Sequence, residues 1–146
     1  DIIILTLPTP LKNRIPYLNY LKNFVKQFGS NFVGKLVILE STSYPGTTQE
    51  IIIDFLNTKK IESGKDCFVS YSPERIDPGV NENFLQKIPK IGAGKTKNCK
   101  QLIKLFYEKI FEDFKLTKEI ETAEFTKILE NTFRSVNIAF INEMGD

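Results

Sequence analysis

Apolar residues along this chain fall into short continuous runs separated by stretches with helical spacing. Residues 2–7 form one run, closed by Pro8-Thr9-Pro10, and residues 36–39 and 67–71 form two more. Continuous runs of this length predict strands buried on both faces. Tyr17, Leu18, Leu21, Phe24, Val25 and Phe28 repeat at helical spacing until Gly29 stops them. After the turn Tyr44-Pro45-Gly46, Thr47 and Glu50 form a T-x-x-E capping box that opens a helix over residues 48–56. Residues 88–91 predict another strand, 98–111 an amphipathic helix and 115–117 a short strand. This β-α-β-α alternation predicts an α/β fold, a parallel sheet with helices on both faces.

Residues 122–144 contain neither Gly nor Pro and predict one long helix of about six turns. Wound at 100° per residue, the stretch gathers Glu124, Lys127, Asn131, Arg134 and Asn142 into an arc of roughly 80°, while Phe125, Ile128, Leu129, Val136, Ala139 and Phe140 lie mostly elsewhere. Asn is a poor helix former because its amide competes with the backbone for hydrogen bonds. The polar seam has two readings. Either it is an ordinary solvated face, or the helix lies between layers with Lys127 and Asn131, one turn apart, facing a ligand.

Composition narrows the class of protein. The 146 residues are 41% hydrophobic and 12% aromatic, enough for the core of one globular domain. Twenty basic and 18 acidic side chains give a net charge of +2, and they are spread along the chain, so neither a nucleic acid nor a membrane surface is expected as a partner. No apolar run approaches a membrane span, and the opening Asp-Ile-Ile-Ile-Leu is not a signal sequence. Cys67 and Cys99 have no metal-ligand spacing and suit reduced thiols in a cytoplasm. With no His in the chain, the commonest general base is missing and no metal site is expected. There is no initiator Met, a strand pattern is already under way at Asp1, and the long helix runs to the last residues. These features predict a piece of a longer protein.

In an open α/β sheet, ligands sit beyond the carboxyl ends of the strands. Three such ends carry polar loops stiffened by proline: Pro8-Thr9-Pro10, the stretch from Glu40 to Ser43 ahead of Pro45, and Ser72-Pro73-Glu74-Arg75-Ile76-Asp77-Pro78-Gly79. Proline and glycine also serve plain connections, but the three loops together bring hydroxyls and a carboxylate to one edge.

Four stretches carry a resemblance. ESTSYPGTT (residues 40–48), SPERIDPG (72–79), IPKIGAG (88–94) and AEFTKILENTFRSVNIAFINE (123–143) resemble, in order and approximate spacing, consecutive motifs of the UDP-glucose/GDP-mannose dehydrogenase family. The P-E-R-x-x-P-G form and the E-N-x-x-R-x-V-N-I run resemble the branch that oxidises UDP-N-acetylhexosamines, and Y-P-G-T-T its UDP-N-acetylglucosamine members. The resemblance covers essentially the whole chain. It implies the C-terminal part of a Rossmann-like NAD-binding domain over residues 1–118 and the start of a central helical, dimerising domain over 119–146.

The family's activity implies roles for particular residues. Such enzymes oxidise the sugar C6 alcohol to a carboxylate in two NAD+-dependent steps through a thioester on a cysteine, in precursor synthesis for surface polysaccharides. Thr42 matches the threonine that helps hold a catalytic water, and Glu74 the general acid/base carboxylate. Lys127 and Asn131 match the pair that stabilises the oxyanion and orders the substrate. Pro8 and Thr9, with Thr42 and Glu74, fall at cofactor-contacting positions. Arg75 and Arg134 are the further candidates for substrate contact, Arg134 equally suiting a structural ion pair. Glu124 reads as a helix N-terminal acid favoured by the dipole, and Glu40 as either a cofactor contact or strand-end packing.

The departures are as specific. No G-x-G-x-x-G turn for the NAD pyrophosphate is present, nor the acidic residue expected on the ribose. The nucleophilic cysteine of the family lies beyond the central helix, where neither Cys67 nor Cys99 falls, so these 146 residues alone are expected to be inactive. The stretch from Arg75 to Gly79 argues against plain UDP-glucose. A 3-hydroxyacid-type dehydrogenase, which also spaces a Lys and an Asn four apart on a central helix, gives no reason for SPERIDPG. A nucleotide-binding or assembly module without turnover is the alternative from another class. The parent enzyme is expected to be a homodimer or higher oligomer paired through the long helix.

Overall fold

The computed structural model describes residues 1–74 and 87–145. Strand β1 (Ile2–Leu5) leads into a small hairpin of β2 (Leu11–Lys12) and β3 (Ile15–Pro16), then helix α1 (Asn19–Phe28), a 3-10 turn (Gly29–Phe32) and β4 (Leu36–Leu39). A π-helical turn (Thr48–Ile53) runs into the short helix α2 (Asp54–Thr58), followed by β5 (Phe68–Tyr71), β6 (Lys90–Gly94), α3 (Lys97–Tyr107), β7 (Phe114–Leu116) and the long α4 (Ile120–Gly145). Among the described residues, five strands form one sheet in the order β1-β4-β5-β6-β7.

The β4 run is buried throughout because its two faces meet different layers. Val37 and Leu39 pack with Leu21, Val25, Ile52 and Leu56 from α1 and the helical stretch after residue 47. Leu36 and Ile38 pack with Ile103 and Tyr107 of α3. Alternation along a strand sends neighbours to opposite faces, so a run apolar at every position is what a middle strand between two helical layers requires. The same expectation fails for β1. It is the edge strand of this sheet, and Ile2 and Ile4 are 45% and 42% exposed.

The sheet is not parallel throughout. β1, β4 and β5 are parallel, but β6 pairs antiparallel with β5, Ser70 opposite Gly94 and Tyr71 opposite Ala93, and β7 runs parallel to β6. An apolar run carries no direction, and the β-α-β-α alternation was read as if every connection crossed the sheet. Instead the chain re-enters from the end at which β5 left it, as the contact between Lys90, the first residue of β6, and Glu74 shows. The reversal delivers Lys90 to the carboxyl ends of the parallel strands, with Gly94 opposite Ser70. A Cβ at Gly94 would lie 2.4 Å from the backbone nitrogen of Lys100, so only glycine lets α3 sit this close to β6.

The capping box at Thr47 and Glu50 does not form. The Thr47 hydroxyl donates to the Tyr44 carbonyl at 2.7 Å, and the Glu50 carboxylate accepts from the Tyr44 hydroxyl at 2.6 Å. The N–H groups that a box would satisfy go to main-chain carbonyls, Thr47 N–H to Tyr44 at 3.1 Å and Glu50 N–H to Gly46 at 2.9 Å, and a distant carboxylate takes the N–H groups beside them. Glu124 of α4 accepts from Gly46 N–H at 2.6 Å, Thr48 N–H at 2.9 Å and the Thr48 hydroxyl at 2.7 Å. A charged acceptor makes a stronger cap than a hydroxyl. Glu124 therefore is structural, but it caps another helix across the fold and does not serve the dipole of its own.

The first turn of α4 is in the core through Ile120, Ala123 and Glu124. Farther along, Leu129, Phe133, Val136, Ile138, Phe140, Ile141 and Met144 are exposed by 54% to 72%. An apolar surface of this extent marks an association site or an aggregation liability. The isolated 146-residue chain is expected to dimerise or aggregate; light scattering that gives a clean monomer at tens of micromolar would contradict this.

Candidate active site

In-register pairing of β1, β4 and β5 ends the three strands in one row, at Leu5, Leu39 and Tyr71. The loops beyond that row are tied to one another by hydrogen bonds. Ser41 Oγ donates to the Leu7 carbonyl at 2.8 Å, the Ser72 N–H to the Leu39 carbonyl at 3.0 Å, and Ser72 Oγ to the Ile91 carbonyl at 2.7 Å. Tyr71 reaches the Ser41 carbonyl at 3.5 Å, and burial pushes its phenol up to about 12. On this shelf Pro8 and Thr42 are exposed and Thr9 half-buried. Among the described residues neither Thr9 nor Thr42 has its hydroxyl engaged.

Under the shelf lies a charged cluster. Lys90 is 3% exposed. Its ammonium lies 2.8 Å from Glu40 Oε1 and 3.3 Å from Glu74 Oε2, and 5.2 Å and 5.5 Å from the ring centroids of Tyr107 and Phe111. The Tyr107 hydroxyl donates to the same Glu40 oxygen, and burial, reinforced by the Glu40 charge, raises its phenol well above the ordinary range. Glu40 is thus a strand-end anchor. Sequence reasoning assigned Lys90 no role, although a lone lysine inside the apolar stretch IPKIGAG was the signal. An ammonium within a buried strand needs partners.

Helix α4 closes the site from the side. Lys127 donates from its ammonium to the main-chain carbonyl of Glu74. Lys127, Glu130, Phe133, Arg134, Asn137 and Ile138, with Ile88, line a cavity of about 510 Å³. Along the polar seam Glu124 is buried, Lys127 reaches the loop after β5, and the helix beyond is exposed. The structure brings Glu74 and Lys127 together, places Arg134 on the same cavity as Lys127, and sets Pro8, Thr9 and Thr42 on the shelf. Asn131 is exposed one turn beyond Lys127, and its carbonyl accepts from Ser135 Oγ at 2.9 Å. It is not in the cavity lining. Arg75 lies outside the described residues.

Two family models match this chain. The NAD binding domain of the UDP-glucose/GDP-mannose dehydrogenase family matches residues 1–111, and the central domain of the same family matches residues 121–146. The chain is 36% identical to the UDP-N-acetyl-D-glucosamine 6-dehydrogenase of Pseudomonas aeruginosa over 99% of its own length and 35% of that protein's. It is 33% identical to the UDP-N-acetyl-D-mannosamine dehydrogenase of Pyrococcus horikoshii, again over 99% of this chain and 35% of that one. Among solved structures, a UDP-D-ManNAc dehydrogenase from Pyrococcus horikoshii has a TM-score of 0.88 at 35% identity, covering 97% of this chain and 34% of that chain. A GDP-mannose dehydrogenase from Pseudomonas aeruginosa, with a TM-score of 0.86 at 23% identity over 98% of this chain and 34% of that one, shares the fold. The chain spans about a third of the length of the curated relatives it matches.

The helix cap supplied by Glu124 carries a pH signature. Burial pushes its carboxyl above the ordinary value of 4.5 by more than the hydrogen bonds from Thr48 and Gly46 pull it down. A carboxyl whose folded value is raised contributes stability that is fully present below the unfolded value and is lost as pH rises through the folded one. Glu124→Ala should cost about 1 to 3 kcal/mol by leaving the N–H groups without an acceptor. That deficit should shrink as pH rises from 4.5, measured by denaturant unfolding across the range. A deficit that grows with pH would show that the carboxylate form is the one the fold prefers.

Proposed function

The chain belongs to the UDP-glucose/GDP-mannose dehydrogenase family, and on that premise we propose that it is the part of an NAD-dependent UDP-N-acetylhexosamine 6-dehydrogenase that carries the acid/base and oxyanion groups. The observation that supports this most directly is the junction of Glu74 and Lys127 at the carboxyl ends of the parallel strands. Two residues 53 apart in sequence, assigned complementary roles by separate motifs, meet there. The N-acetylhexosamine branch is favoured by SPERIDPG and by relatives named for UDP-N-acetyl-D-glucosamine and UDP-N-acetyl-D-mannosamine.

Bound at the strand ends, NAD would accept hydride from the sugar C6 carbon. The shelf fits such a cofactor. It offers two threonine hydroxyls unengaged among the described residues, on loops following adjacent parallel strands, where a dinucleotide lies in open α/β sheets. We assign Pro8, Thr9, Thr42 and Glu74 to that contact. The chain contains no G-x-G-x-x-G turn, so the contacts assigned to it are confined to this edge.

The chemistry assigned to the chain's own residues follows from their groups. An ammonium has three donors, and the Glu74 carbonyl engages one of them. Lys127 and, one turn on, Asn131 supply donors to the oxygen that becomes negative as the C6 alcohol is deprotonated and later as the acyl group is attacked. Glu74, 43% exposed, is the base in a chain without histidine, and Thr42 holds the water it activates. Arg134 and Arg75 are assigned to the substrate. Neither cysteine here is the nucleophile: both are fully buried, and burial raises the Cys67 thiol to about 11. The product would be a uronic acid sugar nucleotide for a surface polysaccharide, made in the cytoplasm by an enzyme paired through α4.

The complete enzyme should form two NADH per UDP-N-acetylhexosamine consumed. Lys127→Ala in it should lower kcat by about 100-fold or more, the loss typical of one oxyanion donor. Near-normal turnover would remove Lys127 from the mechanism. Equal kcat/KM on UDP-glucose would remove the N-acetylhexosamine assignment.

A further inference from the structure

Lys90 is the least expected charge in the molecule. Its ammonium is nine-tenths buried or more, and lysine is almost never so buried unless paired. Desolvating such a group is costly, and replacing a buried ion pair by apolar side chains is often neutral or stabilising. Stability alone is therefore a weak explanation for a lysine at the first position of β6.

The geometry around it is asymmetric. On one side everything is fixed. Glu40 is 11% exposed, 2.8 Å from Nζ, and held by the Tyr107 hydroxyl, while the Tyr107 and Phe111 rings flank the ammonium. On the other side lies Glu74, at the longer distance of 3.3 Å and 43% exposed. The backbone of Glu74 is gripped at its carbonyl by Lys127. Two lysines, one on β6 and one on α4, thus hold the two ends of the same residue.

We propose that Lys90 is a positioning residue of the active site, holding the Glu74 carboxylate at its working place while Glu40 and Tyr107 hold Lys90. The proposal rests on the reading of Glu74 as the acid/base group of a nucleotide-sugar dehydrogenase. Lys90 touches no reacting atom. Acting through Glu74, it affects turnover and not the binding of the sugar nucleotide. The antiparallel entry of β6 matters here, since a parallel β6 would start at the far edge of the sheet.

The test uses the complete enzyme, with NADH formation from UDP-N-acetylhexosamine read as kcat and KM separately and thermal unfolding measured alongside. Lys90→Met alone leaves Glu40 buried without its ammonium and is expected to destabilise. Lys90→Met combined with Glu40→Leu removes both charges. It should recover the unfolding midpoint and still lose kcat by about 10- to 100-fold, with KM changed by less than about threefold. Recovery of kcat together with the midpoint would make Lys90 structural only and overturn the proposal. A second arm keeps the charge and so the fold: Lys90→Arg should lower kcat in the native background and cause no further loss in the Glu74→Gln background, whereas multiplicative losses would overturn it. A native enzyme that forms no NADH from any UDP-sugar would sink the functional reading itself, and the inference with it. That outcome is distinct from an active enzyme indifferent to Lys90.

Discussion

A buried ammonium must be matched by negative charge within hydrogen-bonding reach, and that requirement organises one end of this sheet. Lys90 is met by Glu40 from the end of β4 and Glu74 from the loop after β5. Two carboxylates converge on it because β6 enters antiparallel to β5 and so begins at the end where β5 and, beyond it, β4 finish. Were β6 parallel, Glu40 would be an acid facing Tyr107 and Phe111 with no cation near it, a more costly arrangement than any single hydrogen bond in the loops.

Helix α4 performs a related task from the other side. Glu124 and Lys127, three residues and about one turn apart, reach different loops: Glu124 takes the N–H groups of Gly46 and Thr48, and Lys127 takes the carbonyl of Glu74. A carboxylate that accepts and an ammonium that donates thereby join the loops after β4 and β5 to one rigid rod. The rod sinks into the core only at Ile120, Ala123 and Glu124. The placement of Lys127 therefore depends on the cap made by Glu124, and a weakened cap would be felt at Glu74 without any change in the site itself.

How much of this was legible in the sequence follows from what each signal encodes. Strand and helix order came through because apolar runs and 3.6-residue spacing record burial directly, and the loops with chemistry were legible from proline, hydroxyls and carboxylates at strand ends. Glu74 and Lys127 were legible only as motif residues, and the structure joins them. Direction was not legible: the stretch 88–94 reads as a strand either way, so the reversal of β6, and with it the importance of Lys90, was missed. Local spacing also misled at Thr47 and Glu50. The turn before the helix takes the N–H groups of Thr47 and Glu50 with its own carbonyls, and the first helical N–H is met by a carboxylate 76 residues from Thr48. The reading of β1 as buried on both faces assumed a middle position in the sheet, which an apolar run does not specify.

The two carboxylates that share Lys90 sit in opposite surroundings. Glu40 has its charge answered twice through one oxygen, by the ammonium and by a phenol whose own proton is held by burial, and it has almost no access to water. Such a group is a fixed acceptor. Glu74 has the longer contact and nearly half its side chain open to solvent, with its main chain fixed from α4. A group held in position but reachable by water suits the acid/base work proposed for it. The difference lies in what surrounds each carboxylate, so it depends on the fold that brings β4, β5, β6 and α4 to one edge.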